Sequence, residues 1–84
     1  MSDGPAKGNN PQLWDRLLAH LDEKLQLGLL DRLRRVQAYH FEGDTLFIEA
    51  DSLEDNAYLN KGSNLQQLTL LAQDATGVEA IKFR

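Results

Sequence analysis

The sequence of 84 residues contains no cysteine. This absence excludes disulfide bonds, thiolate nucleophiles and zinc sites with cysteine ligands, and it agrees with a reducing, cytoplasmic setting. The sequence also lacks a run of roughly 18 apolar residues, which a membrane-spanning helix needs. Its beginning lacks the apolar stretch of a signal peptide. We therefore expect a soluble, cytoplasmic domain with no membrane contact.

Basic residues are too few for a protein whose main ligand is nucleic acid. Nine Lys and Arg residues stand against thirteen Asp and Glu residues, which gives a formal net charge of −4. Proteins that bind phosphate backbones neutralise them with an excess of positive charge. Nucleic acid is therefore not expected as the principal ligand.

The motifs of common catalytic and cofactor sites are missing as well. Neither GxxxxGK[ST] nor GxGxxG occurs, so nucleotide binding has no support. Ser52, Ser63, His20 and His40 occupy unrelated positions, whereas nucleophilic catalysis needs a nucleophile beside an oriented base. Neither histidine has a second ligand at a metal-binding spacing. We expect no catalytic residue, metal or cofactor, and we expect that the domain is not an enzyme.

The chain begins with a polar stretch that contains Gly and Pro. Its composition predicts a disordered arm, a linker or a cloning remnant over residues 1–10, and a single folded domain over residues 11–84. Asn10 and Pro11 are typical of a helix N-cap and a first helical residue. Apolar residues then recur at steps of three and four, which predicts a helix with one buried stripe. The stripe consists of Trp14, Leu17, Leu18, Leu21 and Leu25.

A second, shorter helix is expected after Gly28, with its arginines on the outer side. A β-hairpin follows, with strands at residues 36–41 and 45–50 and its reversal at Gly43. Leu46 and Ile48 are expected to face the helices. Phe47, with either Tyr39 and Phe41 or His40, is then expected on or near the open side of the sheet.

The last part of the chain predicts a broken helix and a final strand. Ser52 is a candidate N-cap for a short helix that ends near Leu59, and Ser63 is one for a longer helix that ends at Gly77. Residues 78–83 predict a strand. The order of elements is therefore α-α-β-β-α-β. This order predicts a small, KH-like α+β domain whose three-stranded sheet is covered by helices on one face.

Three features could form a partner-binding surface. Trp14 fits either core packing or an interface hot spot, and the arginines fit either a solvated helix face or a docking patch. Aromatic residues on an open sheet face usually have a partner, because small soluble domains rarely expose such patches. The candidate partner-binding residues are Trp14, Arg32, Arg34, Arg35, Tyr39 and Phe47.

Residues 13–84 resemble a known family. LWDRLLAHLDEKLQLGLLDRL, EGDTLFIEA, NKGSNLQQLTLLAQDATG and VEAIKFR are similar, in this order, to the C-terminal domain of the gamma/tau clamp-loader subunit of bacterial DNA polymerase III. The resemblance implies a non-catalytic tether to replisome proteins, either the polymerase α subunit or the replicative helicase. The positions that match the family pattern are Trp14, Leu29, Leu30, Gly43, Leu46, Ile48, Asn64, Leu68 and Gly77.

Two alternatives remain open. Leu13-Trp14 and GDTLFIEA also resemble the N-terminal domain of the replication initiator DnaA, which would imply self-association through Trp14 and helicase recruitment. Leu29-Leu30 and residues 52–54 depart from the aromatic motifs of that domain, and the departures favour gamma/tau. KH-type binding of single-stranded nucleic acid is the third hypothesis, although the GXXG loop of KH domains is absent.

Overall fold

A computed structural model describes residues 7–84, which form four helices and a three-stranded sheet. The order is α-α-β-β-α-α-β, so the expected α+β class is confirmed, and the expected broken helix is two separate helices. The elements are α1 (Pro11–Glu23), α2 (Leu27–Leu33), β1 (Ala38–Glu42), β2 (Thr45–Glu49), α3 (Leu53–Asn60), α4 (Gly62–Thr76) and β3 (Ala80–Phe83).

Helix α1 begins where the sequence predicts and ends earlier. Asn10 is its N-cap, and the side-chain oxygen of Asn10 accepts a hydrogen bond from the Leu13 N–H. At the other end the chain leaves the helix after Glu23, and Leu25 adopts a left-handed conformation with φ +59°. Leu25 is 76% exposed. Its expected place on the buried stripe is therefore wrong, because the helix ends before it.

Two backbone hydrogen bonds close the end of α1. The Leu25 N–H donates to the Asp22 carbonyl (3.0 Å), and the Gln26 N–H donates to the Leu21 carbonyl (2.9 Å). This pair of bonds defines a Schellman motif, in which glycine is the usual residue at the left-handed position. Leu25 occupies that position in this chain, at a steric disadvantage of roughly 1–2 kcal/mol.

Helices α3 and α4 are separated by one residue, Lys61. Ser52 caps α3 as predicted, since its hydroxyl accepts a hydrogen bond from the Asp55 N–H at 3.1 Å. Helix α4 begins at Gly62, so the expected N-cap role of Ser63 is wrong. Its C-terminal end is confirmed at Gly77, which adopts φ +85°.

The sheet has the order β1-β2-β3. Strands β1 and β2 are antiparallel and turn at Gly43, whereas β2 and β3 are parallel. The parallel pair is connected by α3 and α4, which lets the helices return across one face of the sheet. The expected hairpin is thus confirmed, and the last strand is shorter than residues 78–83.

One hydrophobic core lies between the helices and the face of the sheet that they cover. Each leucine that is completely buried contributes about 1.5–3 kcal/mol to folding. The buried apolar residues are Trp14, Leu17, Leu21, Leu29, Leu30, Leu33, Val36, Tyr39, Leu46, Ile48, Leu59, Leu68, Leu71, Ala72, Val78 and Ile81.

Residues 7–9, named the N-terminal segment below, lie along the outer edge of β1. The Tyr39 N–H donates a hydrogen bond to the Lys7 carbonyl at 2.9 Å, and Lys7 forms an isolated bridge with Ala38. The fold therefore begins earlier than residue 11, because this segment extends the hydrogen bonding of the sheet. Residues 1–6 of the expected arm lie outside the described residues.

None of the helices within residues 7–84 has the length and apolar character that crossing a bilayer requires.

Candidate protein-interaction surfaces

The side of the sheet that faces away from the helices is named the open face. Side chains alternate between the two faces of a strand. Tyr39, Leu46, Ile48 and Ile81 are buried on the helix side. The intervening residues therefore form the open face: Ala38, His40, Glu42, Thr45, Phe47, Glu49, Ala80 and Lys82.

Phe47 lies at the centre of the open face. It pairs with His40 on β1 and with Lys82 on β3. The His40 and Phe47 rings are 6.5 Å apart, and the guanidinium carbon of Arg84 lies 4.8 Å from the Phe47 ring centroid. Phe47 is half-buried and lies outside the core. The expectation for Phe47 is thus confirmed, and its neighbour on β1 is His40.

Positive charge is concentrated on the β3 side of Phe47. His40 on the other side has Glu42 as a neighbour, with Nε2 and Oε1 3.6 Å apart. Within residues 7–84, neither Lys82 nor Arg84 has a carboxylate at ion-pair distance. This half of the open face therefore presents an aromatic ring beside two cations that are available to an external anion.

A shallow depression of about 40 Å³ lies next to Phe47. Small-molecule sites are usually concave and reach roughly 300 Å³ or more. The depression fits a single side chain of a protein partner better than a cofactor. Its lining consists of Ala38, Tyr39, His40, Phe47, Glu49 and Arg84.

Trp14 and Tyr39 form a stack inside the core. Their ring centroids are 4.3 Å apart with an interplanar angle of 3°, and their exposures are 3% and 5%. The backbone of Gly8 packs against the Tyr39 ring so closely that a Cβ would overlap it. Burial, with a contribution from Asp15, raises the pKa of Tyr39 above its usual value. Of the two alternatives for β1, the one that places Tyr39 beside Phe47 on the open face is therefore wrong, and for Trp14 the core alternative is confirmed.

Arg35 joins α2 to α3. Its Nη2 donates to Asp55 Oδ1 at 2.8 Å and its Nε to Oδ2 at 3.2 Å, while Nη1 donates to Asp31 at 2.7 Å. Asp55 is buried. The hydrogen bonds from Arg35 lower the pKa of this carboxyl, and the pairing raises the pKa of Arg35. Arg35 thus has a structural role within the domain.

The other two arginines differ from each other. Arg32 is part-buried, with its guanidinium carbon 3.8 Å from the Tyr58 ring centroid, and it donates to the Gly28 carbonyl at 3.3 Å. Arg34 is exposed and makes no side-chain hydrogen bond or ion pair with residues 7–84. The structure therefore does not bring the three arginines together as one free patch, and only Arg34 is fully available.

Sequence reasoning missed four exposed leucines of the described residues, which are Leu25, Leu27, Leu53 and Leu70. Leu25 follows α1, and Leu53, at the start of α3, is 87% exposed. The apolar periodicity contained no signal for Leu25, because its spacing from Leu21 continues the buried stripe. The N-cap at Ser52 does place Leu53 in a first helical turn, where a solvated side chain is common.

Within the described part of the chain, no group of three or more His, Cys, Asp or Glu residues is arranged so that it could hold a metal ion. Comparisons with protein-family models, with curated proteins and with solved structures found no match to this chain.

Proposed function

We propose that the chain is a protein-interaction domain of the bacterial replisome, without catalytic activity of its own, and that it acts in the cytoplasm. The support is the resemblance of residues 13–84 to the C-terminal domain of the gamma/tau clamp-loader subunit. In this role the domain tethers a larger protein to the DNA polymerase III α subunit or to the replicative helicase.

One observation carries the proposal: the helices cover a single face of the sheet and leave Phe47 on the other. A half-exposed aromatic residue among polar neighbours is typical of interface hot spots, which favour aromatic side chains and arginine. Lys82 and Arg84 flank this ring without carboxylate partners among the described residues.

This arrangement defines the chemistry of the partner segment. An apolar side chain of the partner packs on Phe47, and an adjacent carboxylate pairs with Lys82 or Arg84. The exposed cations also accelerate association with an acidic segment. The occupant of the open face is therefore an acidic segment with an apolar anchor, contributed by one of the two replisome proteins.

An amide-resolved NMR titration with the polymerase α subunit and, separately, the helicase tests this proposal. Shifts centred on β2 and β3 are expected, and Phe47→Ala should weaken binding by about tenfold. Lys82→Glu should weaken it further at low salt, whereas Lys61→Glu is the matched control, because Lys61 lies between α3 and α4. Binding to neither protein, or shifts confined to the helices, would exclude this function.

Single-stranded nucleic acid is a second candidate ligand, because Phe47 with Arg84 above it also has the form of a base-stacking platform. The net charge of −4 opposes it. Titration with an unstructured oligonucleotide separates the two ligands: shifts at Phe47 that weaken steeply with salt would favour nucleic acid. No comparable observation favours the initiator-type alternative, because Trp14 is buried.

A further inference from the structure

The N-terminal segment occupies the edge of β1 as a neighbouring strand would. The Lys7 N–H donates to the Gln37 carbonyl at 3.4 Å, and the Lys7 carbonyl accepts from the Tyr39 N–H. The Asn9 side chain replaces a backbone amide: its Nδ2 donates to the Phe41 carbonyl at 2.7 Å and its Oδ1 accepts from the Phe41 N–H at 2.8 Å. The edge of β1 therefore accepts extended backbone.

The segment is held without apolar anchors. Its two side chains, those of Lys7 and Asn9, are polar, and Gly8 contacts the Tyr39 ring through its backbone. Four hydrogen bonds have a modest net value in water. The conformational entropy lost on ordering three residues is of similar size. Bound and released forms of the segment are consequently close in free energy.

Release of the segment leaves unpaired backbone groups on Tyr39 and Phe41. Edges of this kind pair readily with another strand. We infer that β1 is a pairing edge for a second copy of this chain, and that the N-terminal segment covers this edge in the monomer. This self-association is separate from docking of a replisome protein on the open face.

A second copy of the chain fits this edge because the outward backbone groups of Tyr39 and Phe41 are self-complementary. Tyr39 and Phe41 flank His40, so two β1 strands can pair antiparallel with Tyr39 opposite Phe41 of the other copy. A two-fold axis then passes beside His40, and the interface uses the same residues of both copies. In this register Glu42 lies opposite Ala38 of the other copy, so the two acidic side chains do not face each other.

Asn9→Ala tests the inference with the complete chain, because it removes two hydrogen bonds and no core contact. Release should lower the dimer dissociation constant by about tenfold, because both copies must be released and the constant varies with the square of the released fraction. Sedimentation velocity measures the constant. Hydrogen exchange should show the Tyr39 and Phe41 amides protected as concentration rises. Lys7→Ala is the control, since it keeps the backbone bonds of Lys7 and should leave the constant unchanged.

A second pair of variants tests whether the two copies meet beside His40. In the Asn9→Ala background, His40→Glu brings like charges together beside the axis and should restore the monomer, whereas His40→Gln should not. An Asn9→Ala protein that stays monomeric would overturn the inference: rapid exchange of its Tyr39 and Phe41 amides would show a free edge that does not pair, and slow exchange would show a segment that is not released. A dimer in which these amides remain unprotected would overturn it as well, because association would then use another surface.

Discussion

The two faces of the sheet use aromatic residues for different purposes. On the inner face, Tyr39 stacks on Trp14 at 4.3 Å and both rings are buried. On the open face, Phe47 is half-buried and has His40, Lys82 and Arg84 as neighbours. The inner aromatics hold the fold together, and the outer one adds little to it. The role of an aromatic residue on β1 or β2 therefore depends on the face of the sheet that its side chain occupies.

The arginines at the end of α2 repeat this contrast. Arg35 binds a buried carboxylate of α3, whereas its neighbour Arg34 is exposed and has no side-chain partner among residues 7–84. Two adjacent residues of the same type thus divide into one that stabilises the domain and one that is available to a partner.

The largest expected effect separates the two faces directly. Trp14→Ala should reduce the free energy of unfolding by about 3–5 kcal/mol, because it leaves a cavity beside Tyr39. Phe47→Ala should reduce it by about 1 kcal/mol or less, since it removes only part of a cross-strand contact. Urea unfolding followed by circular dichroism measures both. Equal losses of unfolding free energy in the two variants would contradict the distinction between the two faces, because Phe47 would then be a core residue.

The second largest expected effect is a difference in Tm between variants of Arg35 and variants of Arg34. Arg35→Gln should lower the Tm by several degrees, because Asp55 loses its partner inside the protein. Arg34→Gln should leave the Tm nearly unchanged. Replacing both arginines by Glu is therefore expected to destabilise the fold, whereas Arg34→Glu alone tests docking. Thermal unfolding monitored by circular dichroism is sufficient for this set.

The Arg35 pair also predicts a dependence on pH. The pKa of Asp55 is lower in the folded protein than its usual 3.8, so the pair stabilises the fold above that value and the contribution is lost as pH falls through the folded pKa. The difference in stability between wild type and Asp55→Asn should be constant above about pH 5 and shrink below it. The same comparison in the Arg35→Gln background is the control, because Asp55 then lacks the guanidinium that lowers its pKa, and an unchanged profile in that background would contradict the assignment.

Signals that act over a few residues predicted the ends of elements well. Asn10, Ser52 and Gly77 each cap a helix at the expected place, because a cap depends only on the adjacent turn. Alternation likewise placed Leu46 and Ile48 on the inner face. The fold class followed from these elements and their order.

Contacts between distant parts of the chain could not be predicted in this way. Arg35 and Asp55 are separated by 20 positions, and no local pattern indicates that they meet. The place of Tyr39 depended on the register of β1 with β2, which the alternation left open. The polar composition of the N-terminal segment was typical of an arm, and its pairing with β1 depends on a side-chain amide, that of Asn9.

A smaller effect concerns the exposed end of α1. Leu25→Gly should raise the free energy of unfolding by about 1 kcal/mol, because glycine adopts φ +59° without steric strain and the exposed Leu25 side chain buries little. Lys24→Gly is the matched control one residue earlier, where φ is −87°, and it should be destabilising. A loss of stability in Leu25→Gly would show that this leucine belongs with the inner residues.

The smallest expected effect is a loss of stability at alkaline pH, which tests the burial of Tyr39 in the stack with Trp14. Burial raises the pKa of Tyr39 above its usual 10.0, so the phenol ionises first in the unfolded chain, and stability is complete below pH 10 and falls as pH rises through the folded pKa. Tyr39→Phe should match wild type at neutral pH to within about 0.5 kcal/mol and lose less stability above pH 10. Asp15→Asn should have a weaker effect in the same direction, because it removes the second cause of the raised pKa. Parallel curves for wild type and Tyr39→Phe would place the phenol in solvent and remove Tyr39 from the inner face, whereas a difference confined to alkaline pH ties the ring to the same core as Trp14.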